Sequence, residues 1–236
     1  MREVSIILNL YDITRHLRRF TEVCIWAIYQ YTDPKDYELI LIDNEPKFDM
    51  NLHFGLDEKF TSQLQEKIVV NKPDRGFYPS MNQGAKLAEG KYLVFIENDV
   101  ILTENWLPNM KYYLEHDLTD AVIPDQFPRS REFRQWTYKS TPEECFVRGT
   151  MDQNMVMIKK DVFDKIGGWD ERFFLMYGHA AFFKQIAKCG FRIDSTHKVV
   201  IHHVFQSSLD AVAELEPKKM LEKQTEEARV LNSEYK

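Results

Sequence analysis

The chain has no glycine-rich loop, no CxxC pair, no long apolar run and no excess of positive charge. Its nine glycines in 236 residues are scattered. Neither GxGxxG after the first strand-like segment nor GxxxxGK[ST] anywhere occurs, which argues against a dinucleotide oxidoreductase and against a P-loop nucleotidase. The three cysteines, Cys24, Cys145 and Cys189, are odd in number and far apart. They exclude a disulfide framework and a zinc-ribbon pattern and fit a reducing compartment. No apolar run approaches the ~18 residues needed to span a bilayer, and the N-terminus lacks a signal-peptide pattern, so a cytoplasmic location is expected. A net charge of −6 gives no electrostatic reason to bind nucleic acid. Repeats and low-complexity segments are also missing.

What is present begins with Lys91-Tyr-Leu-Val-Phe-Ile-Glu-Asn-Asp-Val100. Five apolar residues, Tyr92 to Ile96, fit a strand buried on both faces of a mostly parallel sheet. They run straight into Glu97-Asn98-Asp99. In extended backbone, positions i and i+2 project to one side, so Glu97 and Asp99 can face a single point. Two carboxylates there repel unless a cation lies between them, and oxygen ligands suit Mg²⁺ or Mn²⁺. The end of a strand is also where open α/β sheets bind ligands. With no glycine-rich loop available, a metal ion is the expected partner of a diphosphate.

The rest of the first half alternates. Val4 to Leu10 reads as a buried strand. Leu17, Phe20, Cys24, Ala27, Ile28 and Tyr31 recur at helical spacing. Glu38–Ile42 and Lys67–Val70 are short strands, and Pro79–Glu89 is a helix expected to end at Gly90 as its cap. This order predicts an α/β fold with helices on both faces of the sheet. In the second half, a helix is expected at Trp106–His116 and strands at Asp120–Pro124, Asn154–Ile158 and Val199–His203. A short helix is expected at Asp161–Ile166, with another around Phe182, Ile186 and Cys189. The segment Asp125–Glu144, with Arg129 and Arg131, reads as a long loop. Beyond Ser208 the chain is charged and is expected to form a solvent-exposed helix or tail (209–236). Residues 1–208 are expected to make one domain.

Taken in order, these segments resemble the inverting family 2 glycosyltransferases of the GT-A (nucleotide-diphospho-sugar transferase) fold, over about residues 3 to 208. Ser5-Ile-Ile-Leu-Asn-Leu-Tyr-Asp12 is similar to the family's opening strand with its Thr-Tyr-Asn type end. Leu41-Ile-Asp43-Asn44 resembles the second-strand Asp-Asp. Asn71 through Gly84 resembles the Asn-x-Gly...Asn-x-Gly stretch, and Glu97-Asn-Asp99 stands at the Asp-x-Asp position. Ile166-Gly-Gly-Trp-Asp-Glu-Arg-Phe-Phe174 resembles the Gly-Gly-Phe-Asp-Glu segment. His202-His203 with Ser207-Ser208 resembles the late His...Ser element.

The resemblance implies a metal-dependent transferase that moves a sugar from a nucleotide-diphosphate donor, UDP-sugar favoured, to an acceptor hydroxyl with inversion. It implies Asp99, Glu97 and one of His202 and His203 as ligands of Mn²⁺ or Mg²⁺. It places Leu10, Tyr11, Asp12, Asp43, Asn44, Arg75, Asn82, Glu97 and Asn98 around the nucleotide, with Asp43 accepting from the base N–H. The acceptor stays open among a glycan, a lipid-linked sugar, a protein and a modified nucleobase.

One departure matters. Where the family's helix opens with Glu-Asp, whose Asp is the general base, this chain reads Tyr177-Gly-His-Ala-Ala-Phe-Phe183. Ala180 and Ala181 cannot take a proton, so the base falls to His179 or Asp170, or the Glu-Asp pair aligns one residue away, or the chain was altered at Ala180-Ala181 or has lost catalysis. A carboxylate introduced at Ala181 is therefore expected to raise activity. The rival reading is a catalytically silent nucleotide-sugar-binding protein. Pyrophosphorylases share the sheet type, but Leu10–Thr14 lacks their glycine-rich, Arg-containing loop.

Overall fold

The strand Val4–Leu10 (β1) is buried along its whole length, and its side chains divide between two layers. Val4, Ile6, Leu8 and Leu10 enter one apolar cluster, while Ile7 enters the other. The period-2 projection of a strand imposes this division. The computed structural model describes residues 2–12, 14–44, 46–47, 58, 62–126, 140–148, 154–174, 176–204 and 213–235. Arg129, Arg131, Ser207 and Ser208 lie outside the described residues.

Strands β2 (Tyr37–Asn44) and β4 (Tyr92–Glu97) flank β1, and β3 (Glu66–Asn71) pairs with β2, all in parallel. β8 (Met155–Lys159) then joins β4 antiparallel, and the sheet becomes mixed. β6 (Ala121–Gln126) pairs antiparallel with β8 and parallel with β9 (Ile193–His203). The two-residue strands β5 (Val100–Ile101) and β7 (Phe146–Val147), too short for any periodicity to reveal, both pair with β9. The strand order is β3-β2-β1-β4-β8-β6-β9-β5.

Helices cover both faces. α1 (Arg15–Tyr31) starts at Thr14, whose hydroxyl accepts the Leu17 N–H at 3.2 Å. With α3 (Trp106–Glu115) it covers the cluster that holds Val4 and Leu8. α2 (Phe77–Leu87), α4 (Lys160–Ile166) and α5 (Gly178–Lys188) cover the other. Gly90 does not cap α2, which ends at Ala88. Its N–H instead donates to Ser5 Oγ at 2.9 Å, and an added Cβ would lie 2.7 Å from the Ser5 backbone nitrogen.

α6 (Pro217–Glu234) departs from the expectation of a solvent-exposed tail. Leu221 is exposed, but Glu227 is fully buried, and Val230, Leu231 and Tyr235 pack on the second cluster. No helix among the described residues is long and apolar enough to cross a membrane.

Candidate active site

Strand pairing brings Glu97, Asp99 and His203 together. Glu97 closes β4, and Asp99 follows in the turn to β5. Val100 of β5 pairs with His203 of β9, and the Asp99 carbonyl accepts the Val204 N–H at 3.1 Å. His203 Nε2 therefore lies 3.2 Å from Asp99 Oδ1 and 3.5 Å from Glu97 Oε2. The three ligand atoms lie within 4.8 Å of one another. His202 is outside this group, because successive strand residues project to opposite sides. Of the two histidines left open by the sequence, His203 is the one brought to Glu97 and Asp99.

Asp99 is buried. Burial pushes the Glu97 carboxyl above its ordinary range, and the charge of Asp99 adds to this while His203 opposes it. Burial disfavours a charged His203, yet the hydrogen bonds and charges of Asp99 and Glu97 outweigh it and raise its pKa to about 9. A proton thus holds the three groups together, and a divalent cation can take that place. Two carboxylates and one imidazole form a suitable donor set. On the far side of the ring, the Asn154 side-chain amide lies 2.9 Å from His203 Nδ1. Asn154 is held in turn by its carbonyl, which accepts the Glu97 N–H at 3.0 Å. With Nε2 on a cation the ring would carry its proton on Nδ1, and the Asn154 amide would turn its oxygen to accept it and so orient the imidazole. No sequence signal marks Asn154, a polar residue at the head of an apolar strand.

His179 lies in the first turn of α5, with Nε2 3.9 Å from Glu97 Oε1. Its Nδ1 is 3.1 Å from the hydroxyl of Tyr78, a buried residue of α2 that no sequence motif marks. Burial alone lowers the His179 pKa to about 4, so the ring is neutral near pH 7. Gly178 makes this approach possible, since a Cβ there would lie 2.4 Å from Tyr78 Cζ.

The other candidate bases are engaged or misplaced. Asp170 receives the Arg172 guanidinium at 2.6 and 2.9 Å and the Tyr235 hydroxyl at 2.7 Å. Burial raises its pKa, but these partners prevail and leave it below the ordinary value. Ala181 is fully buried in the second apolar cluster, while Ala180 is exposed. The Ala181 position, where a carboxylate is expected to raise activity, thus belongs to the core.

At the end of β2, Asp43 is buried and its Oδ1 has no hydrogen-bond partner among the described residues. Burial and the nearby Asp12 raise its pKa to about 6, against Arg18 and Lys72. Leu10 pairs with Asp43 and Asn9 with Glu97, so the two carboxylates stand two strands apart at one sheet edge, about 10 Å by strand spacing.

Several residues expected at the nucleotide are held in hydrogen-bond networks within the fold. Asn44 donates to Asn9 Oδ1 at 2.7 Å and Ser80 Oγ at 2.8 Å, and accepts from Asn71 at 2.9 Å. Asn82 holds both the N–H and the carbonyl of Trp169, at 2.9 and 2.8 Å, and donates to Glu171. Asn98 donates to Thr21, whose hydroxyl donates to Asp12. Asp12 is buried and ion-paired with Arg18, and burial raises its pKa. The Leu10 side chain belongs to the core, which leaves only its backbone for a ligand. Tyr11 is half-buried beyond β1, and Arg75 is exposed.

The family model described as glycosyl transferase family 2 matches residues 15–189. A "PGL/p-HBAD biosynthesis glycosyltransferase" of Mycobacterium bovis is 26% identical over 141 residues, covering 58% of this chain and 54% of that protein. The chain thus spans about half the length of that curated relative. Two solved structures share the fold. Staphylococcus aureus TarS 1-349 in complex with UDP-GlcNAc has a TM-score of 0.65 at 13% identity, covering 100% of this chain and 68% of that one. The mannosyltransferase PcManGT of Pyrobaculum calidifontis, in complex with GDP-Man and Mn²⁺, has a TM-score of 0.60 at 16% identity, covering 86% and 57%.

Proposed function

The chain belongs to glycosyl transferase family 2 and has the GT-A fold, and from that premise we propose that it transfers a sugar from a nucleoside-diphosphate donor to an acceptor hydroxyl. The observation that carries this reading is the convergence of Glu97, Asp99 and His203 at the sheet edge that also ends in Asp43. A base at Asp43 with its diphosphate near Asp99 would span β1, the one strand between them. The orphaned Asp43 Oδ1 suits a ring N–H donor, as uracil offers, and UDP-sugar is the favoured donor. Glu97, Asp99 and His203 would hold a divalent cation, Mn²⁺ rather than Mg²⁺ because one donor is an imidazole nitrogen. That cation would stabilise charge on the departing diphosphate.

His179 is the base in this reading. Its neutral Nε2 takes the acceptor hydroxyl proton as the oxygen bonds to the anomeric carbon from the side opposite the diphosphate. The bond to the diphosphate breaks, its electron pair leaves with the phosphate oxygen, and the configuration inverts. Tyr78 holds the imidazole at Nδ1. Residues 1–100 would serve the donor and 101–208 the acceptor, in the cytoplasm. A silent binding protein would leave His179 without a task. The test is a panel of nucleotide sugars in Mn²⁺, following release of nucleoside diphosphate by the unaltered chain and by His179→Ala. Turnover by the first and not the second supports transfer. Binding without turnover by either supports the silent protein, and no binding at all refutes both.

A further inference from the structure

The only fully buried residue of α6 is a glutamate, in a helix whose other residues are half-buried or exposed. Glu227 Oε1 accepts the Phe174 N–H at 2.9 Å, and Oε2 accepts the Met176 N–H at 2.6 Å. A buried carboxylate is costly unless such donors satisfy it. The clamped segment leads directly to the site. Tyr177 follows in the left-handed region at φ 56°, then Gly178 opens α5 and His179 stands in its first turn. A non-glycine residue holds that conformation only where its surroundings fix it. The Phe174 carbonyl accepts the Phe77 N–H at 2.7 Å, at the first residue of the helix that carries Tyr78. One carboxylate on α6 thus braces the segment joined to both His179 and its partner Tyr78. The end of α6 adds an ion pair between Glu234 and Arg172, and the Tyr235 hydroxyl donates to Asp170 at 2.7 Å.

We propose that Glu227 is a positioning residue for sugar transfer: through the Phe174 and Met176 N–H groups it holds these two residues, and so places Tyr177 and His179 against the site. The proposal rests on the reading of His179 as the base. Glu227→Gln tests it, because a glutamine offers one acceptor and turns its NH₂ toward the second N–H. The full chain is compared with this variant in three measurements: UDP affinity in Mn²⁺, steady-state sugar release, and amide exchange across 173–180. The variant is expected to keep UDP affinity within about twofold and to lose kcat by on the order of 10²-fold, the scale of a misplaced catalytic group. Exchange across 173–180 should quicken while that across 92–97 holds. Unchanged exchange at 173–180, an unchanged kcat despite faster exchange, or UDP affinity lost in step with kcat would each overturn it. Where Glu227→Gln does not fold, Glu227→Asp, which keeps both acceptors but withdraws them, should show the same separation. If the unaltered chain binds donor but releases no sugar, the transfer reading fails, and exchange at 173–180 still decides whether Glu227 sets that segment.

Discussion

The Tyr78 hydroxyl lies 3.1 Å from Nδ1 of His179, across 101 positions of sequence. Tyr78 is buried and meets Trp169 at 5.5 Å between ring centroids, so the phenol is itself fixed. The imidazole therefore has one nitrogen occupied and presents the other toward Glu97.

From this arrangement, His179→Ala should lower sugar release by ~10²–10⁴-fold, the usual contribution of a positioned base. UDP affinity in Mn²⁺ should stay near that of the unaltered chain, because the residue belongs to the acceptor side. Steady-state kinetics beside a binding titration measure both. Retained turnover would remove His179 from the chemistry.

Ala181→Asp should fail to restore or raise activity, contrary to what the sequence alone suggests. Ala181 sits among apolar side chains, including Phe182 and Ile186, in the second cluster. A carboxylate there is buried without a partner, at a cost of roughly 3 kcal/mol or more. Urea unfolding should show the loss of stability. A stable variant with faster turnover would mean that this position does face the acceptor.

Asp43→Asn should weaken UDP binding ~10-fold or more, since a hydrogen bond to a charged acceptor is lost. It should also stabilise the free protein at pH 7.5. The folded pKa of about 6 stands above the ordinary value of 3.8, so the folded state holds the extra proton between these values. The cost of ionising Asp43 is therefore absent below about pH 4, grows as pH rises to about 6 and stays constant above it. Melting temperatures of the pair at pH 4 and pH 7.5 check the sign: no gain at the lower pH, a gain at the higher. For the unaltered chain, UDP affinity should rise from pH 5 to pH 7 as Asp43 ionises.

The legible parts of this molecule are those where burial leaves a local pattern. β1 and β4 are buried on both faces, so continuous apolar runs mark them. The first half of β9 carries Asp194, Ser195 and Thr196, which are buried yet polar. Arg148 satisfies Asp194 and Tyr113 satisfies Thr196, partners 46 and 83 positions away that no local window contains. At the site, Glu97 and Asp99 are legible from their i, i+2 spacing. The choice of His203 over His202 depends on the pairing of β5, a two-residue strand without a signature. Asn154, Tyr78 and Glu227 act through long-range contacts, and Glu227 lies in a run of charge that reads as solvent-facing. Asn44, Asn82 and Asn98, each at a position expected to touch ligand, are also held by partners distant in sequence that no local window contains.

The central claim is that Glu97, Asp99 and His203 make nucleoside-diphosphate binding depend on a divalent cation. Calorimetric titration of UDP into the unaltered chain and into Asp99→Ala, in Mn²⁺ and again in EDTA, tests it most directly. Binding by the unaltered chain in Mn²⁺, weakened at least ~10-fold in EDTA and insensitive to Mn²⁺ in Asp99→Ala, is the predicted result. Equal affinity for UDP in Mn²⁺ and EDTA by the unaltered chain would contradict it.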